Sequence, residues 1–249
     1  MILAALAALG IDKTDFVEQI KQLDIPEFEI KFTEVDRSGI AALLAEVKVP
    51  NENKHRHLRD IQAIIERSRL SRSVKDRAIA VFERLADAEA KIHGTDVQSV
   101  HFHEVGAMDA IVDIVGSCIG FEILGIERFI CSKIHIGSGF VQMAHGKYPV
   151  PPPAVTELLK GIPVYSTDIE GELITPTGAA IISTVCDSYG ALPEMIVEIS
   201  SYGAGTRAYD EFPNALRLFV GQSTETAEVS TVQRSTLTLI ETNIDDLSP

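Results

Sequence analysis

Within residues 101–116, HFHEVGAMDAIVDIVG, two histidines, one glutamate and two aspartates sit in an otherwise apolar stretch. Imidazole nitrogens and carboxylate oxygens are donors for a divalent metal, and the same groups serve as general acids and bases. On a strand, His101 and His103 point to one face, about 7 Å apart. That spacing suits two imidazoles on one metal ion or one anionic group. Glu104 points to the other face unless the strand has ended, and Gly106 permits a turn. On the helix that follows, Asp109 and Asp113 are four residues apart and share a face. Gly116, Ser117 and Gly120 continue that face, a narrow acidic-and-small stripe on a helix otherwise apolar on nearly every side. Such a helix is buried, and a carboxylate on it is costly unless paired or bound to a cation. The glycines let another backbone or a ligand come close. His101, His103, Glu104, Asp109 and Asp113 are therefore the candidate metal set, with His135 and His145 as later donors. Plainer roles exist for the same residues. Asp109 can cap the helix, Asp113 can pair with an arginine or histidine, and both histidines can be satisfied in a core. A second pair, His55 and His57, lies among charges in NENKHRHLRD and reads mainly as a solvated helix start.

Three glycine-bearing turns are candidate anion cradles. HIGSGF, with Gly137, Ser138 and Gly139, ends a strand. Gln142 occupies the place of the third glycine in GxGxxG, so a dinucleotide fingerprint fails. TPTGAA opens a helix whose free N–H groups, with the Thr175 and Thr177 hydroxyls and Gly178, suit a phosphate or carboxylate. SYGAGTR combines Gly203 and Gly205 with Arg207 in a turn, a clamp for the same groups. GxSxG, HExxH and Walker A patterns do not occur, which removes support for serine-hydrolase, zincin and P-loop chemistry.

The elements that must hold these residues follow from periodicity. Residues 2–9 read as a helix ended by Gly10. FEIKFTEV alternates and predicts a strand, whereas SGIAALLAEVKV fits helix or strand. Residues 55–68 and 73–93 predict two amphipathic helices, the second capped by Ser73 and stopped by Gly94. SVHFHEV reads as a short strand, residues 107–124 as an apolar helix, and RFICSKIHIGSG as a strand entering a glycine turn. PPPAVTELLKG and TPTGAAIISTVCDSYG are helices entered through proline, the second with Thr175 as N-cap and Pro176 at N1. EMIVEISSYGAGTR and ALRLFVGQ are strands, STETAEVS is linker-like, and STLTLIETNIDDLSP is a strand running into an acidic turn. Strands alternating with helices predict an α/β fold, or mixed α+β, with helices packed on a mixed sheet. The expected divisions are an N-terminal part over 1–97, a core over 98–222, and a linker with the start of a further domain over 223–249.

With 249 residues the chain can bury a sizeable core. A net charge of −14 and a pI near 4.9 argue against nucleic-acid binding, while permitting a small anion in a local positive niche. Three cysteines without CxxC spacing do not suggest a disulfide framework or a thiolate zinc cage, so a reducing cytoplasm is expected. No cationic leader precedes the apolar start, and no apolar run reaches membrane-spanning length, so no membrane partner is expected. A homo-oligomer is left open.

HFHEVGAMDAIVDIVG, IGSGFVQMAHGKYPVPPPAVTELLKGIPVY, GELITPTGAAIISTV, YGAGTR and the terminal ETNIDDLSP resemble the LarC family. The likeness is specific from about residue 100 to 249; before that it is looser and carried by LAALAALGID. The resemblance implies a nickel chelatase, a lyase-type metal insertase. It would form one Ni–C and two Ni–S bonds in pyridinium-3,5-bisthiocarboxylic acid mononucleotide, with hydrolysis of CTP. The product is the nickel-pincer nucleotide cofactor, used downstream by lactate racemase-type apoenzymes. The resemblance also implies an acidic, Ser/Gly-rich start ahead of this first helix and a C-terminal domain binding CTP with Mg or Mn. Glu241, Asp245 and Asp246 resemble the entry to that domain, so the chain is expected to be an N-terminal portion lacking both ends. Histidine and carboxylate suit nickel that must be loaded and then surrendered, and a nearby base must take the ring proton when the Ni–C bond forms. The residues do not single out that base. A non-catalytic nickel metallochaperone and a divalent-metal phosphohydrolase draw on the same donors.

Overall fold

The structure, a computed structural model, describes residues 1–50, 56–100, 102, 108–143, 146–210, 212–224 and 236–242. The chain opens with helix α1 (Ile2–Ala8), whose apolar residues are almost all buried. Helix α2 (Lys13–Ile20) follows at once because the Asp12 carboxylate accepts from the Thr14 and Asp15 N–H groups, satisfying donors that a helix start leaves open. Strands β1 (Glu29–Arg37) and β2 (Ile40–Lys48) form a hairpin. Its two-residue turn, Ser38 and Gly39, takes positive φ at both positions, the geometry that matches strand twist.

Helix α3 (Leu58–Arg67) and the long helix α4 (Arg72–His93) come next. Ser71, not Ser73, accepts the capping bond from the Val74 N–H, and Gly94 ends α4 in the left-handed conformation. Helix α5 (Met108–Ile123) is buried along most of its length. Strands β3 (Arg128–Cys131), β4 (Ile134–His135), β5 (Gly137–Ser138), β6 (Phe140–Met143) and β7 (Gly146–Pro149) lead to helix α6 (Pro153–Leu158). Strands β8 (Val164–Tyr165) and β9 (Gly171–Glu172) precede helix α7 (Pro176–Val185). Strands β10 (Ser188–Tyr189), β11 (Met195–Ala204), β12 (Ala215–Ser223) and β13 (Thr236–Thr242) complete the described elements.

Seven strands form one mixed sheet in the order β1-β2-β11-β12-β13-β3-β10. The β1–β2, β11–β12 and β12–β13 pairs are antiparallel; β2–β11, β13–β3 and β3–β10 are parallel. The expected α/β class with a mixed sheet is what the chain forms. SGIAALLAEVKV resolves to strand because β1 supplies a partner along its whole length. Of SVHFHEV, Val100 closes a short 3-10 turn and Phe102 makes an isolated bridge with Arg56; His101, His103, Glu104 and Val105 lie outside the described residues. Most of STETAEVS lies outside them too.

One apolar core runs from Ile2 to Ile240. Helix α1 packs on β2, β11 and β12 as well as on α5. Phe82, Phe121, Ile111, Ile114 and Ile119 are fully buried within the core, each stabilising the fold by about 1.5–3 kcal/mol. The small stripe on α5 is where other helices approach. A Cβ on Gly116 would lie 2.7 Å from Leu3 Cδ1 and 3.0 Å from Ile20 Cδ1, and one on Gly120 would lie 2.9 Å from Leu6 Cδ1. Among the described residues no helix is long and apolar enough to cross a membrane.

Candidate functional site

A cavity of about 600 Å³ opens where the start of α1, β2, the first half of α5, β9, the N-terminus of α7 and the turn after β11 meet. That volume falls within the range of small-molecule sites. Four segments distant in sequence bring charge or hydrogen-bonding capacity to it.

From α5 come Asp109, Asp113 and Ser117. Asp109 stands exposed in the first helical turn and accepts from the Ala110 N–H at 2.9 Å. Asp113, one turn deeper, accepts no side-chain hydrogen bond from the described residues. Burial pushes its pKa from 3.8 to about 6, partly offset by the Met1 amino group and raised further by the Asp109 charge. The Ser117 hydroxyl turns back to donate to the Asp113 carbonyl at 2.7 Å.

From α7 come Thr175, Thr177 and Gly178. Pro176 holds N1, and the Gly178 N–H donates to Thr175 Oγ1 at 3.3 Å, the cap that the sequence predicts. The start of this ten-residue helix therefore faces the cavity and favours negative charge there.

From the turn after β11 come Gly205, Thr206 and Arg207. The turn is tied down on two sides. Arg37 Nη2 donates to the Gly205 carbonyl at 2.8 Å. Buried Asn214 accepts from the Gly205 N–H through its backbone at 2.9 Å and donates from its side chain to the Arg207 carbonyl at 3.0 Å. A side chain at Gly205 would run into Asn214, since a Cβ there would lie 2.3 Å from Nδ2.

From β2 and β9 come Glu46, Lys48 and Glu172. The cavity thus carries carboxylates, the Met1 amino group and two side-chain cations, Lys48 and Arg207, in a chain of net charge −14. It offers oxygen donors for a cation, a carboxyl whose pKa lies near neutrality for proton transfer, and a helix start with a guanidinium for an anion.

Of the residues singled out in the sequence, Asp109, Asp113, Thr175, Thr177, Gly178, Gly205 and Arg207 line this one cavity. Gly137, Ser138, Gly139 and Gly203 do not. Gly137 and Ser138 pair with Glu172 and Gly171, so close that a Cβ on Gly137 would lie 1.9 Å from the Gly171 carbonyl oxygen. Gly203 is part of β11 rather than of the turn. It passes beneath α1, where a Cβ would lie 2.2 Å from the Met1 carbonyl oxygen. His101, His103 and Glu104 lie outside the described residues, as do His55, His145, Asp245 and Asp246. Among the described residues no three His, Cys, Asp or Glu side chains come together to hold a metal ion.

His135 belongs to the core. It is 1% exposed, stacks on Tyr165 at 4.5 Å, meets the edge of Phe212 and shares a 3.0 Å hydrogen bond with the Thr167 hydroxyl. His57 donates from Nδ1 to the Val100 carbonyl at 3.0 Å at the entry to α3. Sequence reading missed Glu46, Lys48, Glu172, Arg37 and Asn214. Glu172 stood next to the motif in GELITPTG, so its nearness to the helix start was a usable signal. The other four reach the site through strand pairing and carried none.

The chain matches the model of a family described as nickel insertion protein over residues 1–249. It is 48% identical over 250 residues to the pyridinium-3,5-bisthiocarboxylic acid mononucleotide nickel insertion protein of Desulfitobacterium hafniense strain DSM 10664 / DCB-2, covering 100% of this chain and 62% of that protein. It is 44% identical over 251 residues to a putative nickel insertion protein of Geotalea daltonii, with 100% and 63% covered. It is 42% identical over 249 residues to the protein of the first name in Staphylococcus epidermidis strain ATCC 12228, with 100% and 61% covered. The chain thus spans less than two thirds of the length of these relatives. No solved structure matches the chain.

Proposed function

Since the chain belongs to the nickel insertion protein family, we propose that it forms the part of a nickel insertase in which the pyridinium-3,5-bisthiocarboxylic acid mononucleotide is held and receives nickel. The observation that carries the reading is the single cavity joining Asp109 and Asp113 to the start of α7 and to Arg207. In this reading the phosphate or a carboxylate-like group of the precursor docks against Arg207 and the Thr175-capped helix start, where charge-assisted bonds are strong. Nickel, the cargo, is handed over by His101, His103, Glu104, Asp109 and Asp113, a borderline donor set that releases the ion more readily than thiolates do. Asp113, whose pKa burial raises in the metal-free site, takes the ring proton as the Ni–C bond forms, once its carboxylate has released the ion. Gly137, Ser138, Gly139 and Gly203 belong to the scaffold of this site. In this reading the full-length protein couples insertion to hydrolysis of CTP with Mg or Mn. The finished cofactor passes to lactate racemase-type apoenzymes, and the work takes place in the cytoplasm.

The test is metal analysis after nickel loading, with and without the precursor, followed by single-turnover insertion from the preloaded protein. Nickel retention that rises with precursor, and a nickel–carbon product after one turnover, are expected. Nickel uptake without insertion would replace this reading by a non-catalytic metallochaperone. Turnover of simple phosphate esters without nickel would replace it by a phosphohydrolase.

A further inference from the structure

We infer that Gly171 is a positioning residue: its bare Cα is the shelf on which the Arg207 guanidinium rests, and the Gly137 turn holds that shelf in place. The inference depends on the reading above in which Arg207 docks an anionic group of the precursor.

Gly171 sits in β9, directly ahead of the cavity-lining Glu172, with φ of +122. A Cβ there would lie 2.7 Å from Arg207 Nη1 and 3.0 Å from Tyr209 Oη. Carbon and nitrogen cannot approach so closely without bonding, so any side chain at 171 displaces the guanidinium. The backbone of Arg207 is not free to follow, because Asn214 holds its carbonyl and Arg37 holds the carbonyl of Gly205. Tyr209 is tied as well, donating to the Glu170 carbonyl. Displacement must therefore swing the head group about its own side chain, out of the position it holds beside the cavity-lining Glu172 strand. Below the shelf, Gly137 packs against the Gly171 carbonyl so closely that it too cannot carry a side chain. The glycine turn at 137–139 thus acts on the site at one remove, by letting β5 pair with β9.

Backbone strain alone predicts a different outcome from loss of a shelf, and the molecule contains the control. Gly146 has φ of +125, almost the same as Gly171, but among the described residues nothing lies within 4 Å of a Cβ built there. Gly146→Ala carries the strain of the left-handed region without the collision.

The probe is nicotinic acid mononucleotide, a pyridinium mononucleotide with one carboxylate, titrated calorimetrically into the full chain. Arg207→Ala is expected to weaken binding by about ten-fold or more. Gly171→Ala should weaken it to a similar degree and Gly146→Ala by less than about two-fold. In the Arg207→Ala background, Gly171→Ala should change affinity by less than about two-fold, because a shelf with nothing on it has no effect. A purely structural role would instead give the same loss in both backgrounds. Parent-like binding by Gly171→Ala, with Arg207→Ala impaired, overturns the shelf and leaves the docking reading standing. Equal binding by the parent and Arg207→Ala, or no binding by the parent, overturns the docking reading and this inference with it. If Gly171→Ala does not fold, its melting temperature in the Arg207→Ala background decides. Recovery to within the deficit of Gly146→Ala supports the shelf, and continued unfolding overturns it.

Discussion

Asp113→Asn should stabilise the metal-free protein while impairing its chemistry, with a pH signature that identifies the cause. The asparagine keeps the shape of the side chain and cannot ionise. In the folded protein burial raises the Asp113 pKa from 3.8 to about 6, net of attraction to the Met1 amino group and repulsion from Asp109. Between those values the folded state keeps a proton that the unfolded chain gives up. Stability therefore falls as pH rises through the window, and the cost is complete above the folded pKa. At 1.36 kcal/mol per unit, the penalty is on the order of 1–2 kcal/mol at pH 5 and about 3 kcal/mol at pH 7. Asp113→Asn removes it, so the variant should exceed the parent by amounts of that order, the gap widening by roughly 1 kcal/mol from pH 5 to 7 and little beyond. Urea unfolding at a series of pH values, with a chelator present, reads this directly. A gap that does not change with pH, or a variant less stable than the parent at pH 7, refutes the reasoning. The same variant should lose nickel insertion, the pattern of a residue kept for function against stability.

Alanine at both His101 and His103 should reduce nickel affinity by about ten-fold or more in a folded protein, since each removes a donor; unchanged affinity in a metal titration removes them from the site. Arg207→Ala should weaken precursor binding by about 1.5–3 kcal/mol, the worth of a hydrogen bond to a charged group, as read by calorimetry. Thr175→Ala should lower unfolding free energy by about 1 kcal/mol through loss of the cap on α7. Gly203→Ala should lower it by about 3 kcal/mol or more, because the added methyl meets the backbone of α1 rather than a yielding side chain. Chemical denaturation checks both.

Local signals were legible where a short stretch decides the outcome. The Thr175-Pro176 start of α7, the Gly94 stop of α4 and the apolar body of α5 follow from capping chemistry and periodicity. Ser71 displaced Ser73 as the cap because two serines flank Arg72, and only the tertiary arrangement selects one. The Lys13–Ile20 helix was missed although Asp12 is a capping residue, since the helix is short and half of it faces solvent. On the site side, pairing Asp109 with Asp113 needed only the helical repeat. Nothing local indicated that Thr175 and Arg207 would face them across one cavity, or that Arg37 would fasten the Gly205 turn. Those relations depend on which strands become neighbours.

The parallel contact of β2 with β11, Leu43 beside Gly203, has a consequence for the order of events during synthesis. The cavity needs residues 1–3, 44–48, 109–117, 172–178 and 204–216 together, so no early length of nascent chain contains it. Until β11 leaves the ribosome, α1 lacks one of the strands on which it rests. Such sequence-distant contacts slow folding. The Gly203–Arg207 segment acts as a keystone: the site closes only when Gly203 is laid beneath α1, a helix made long before it.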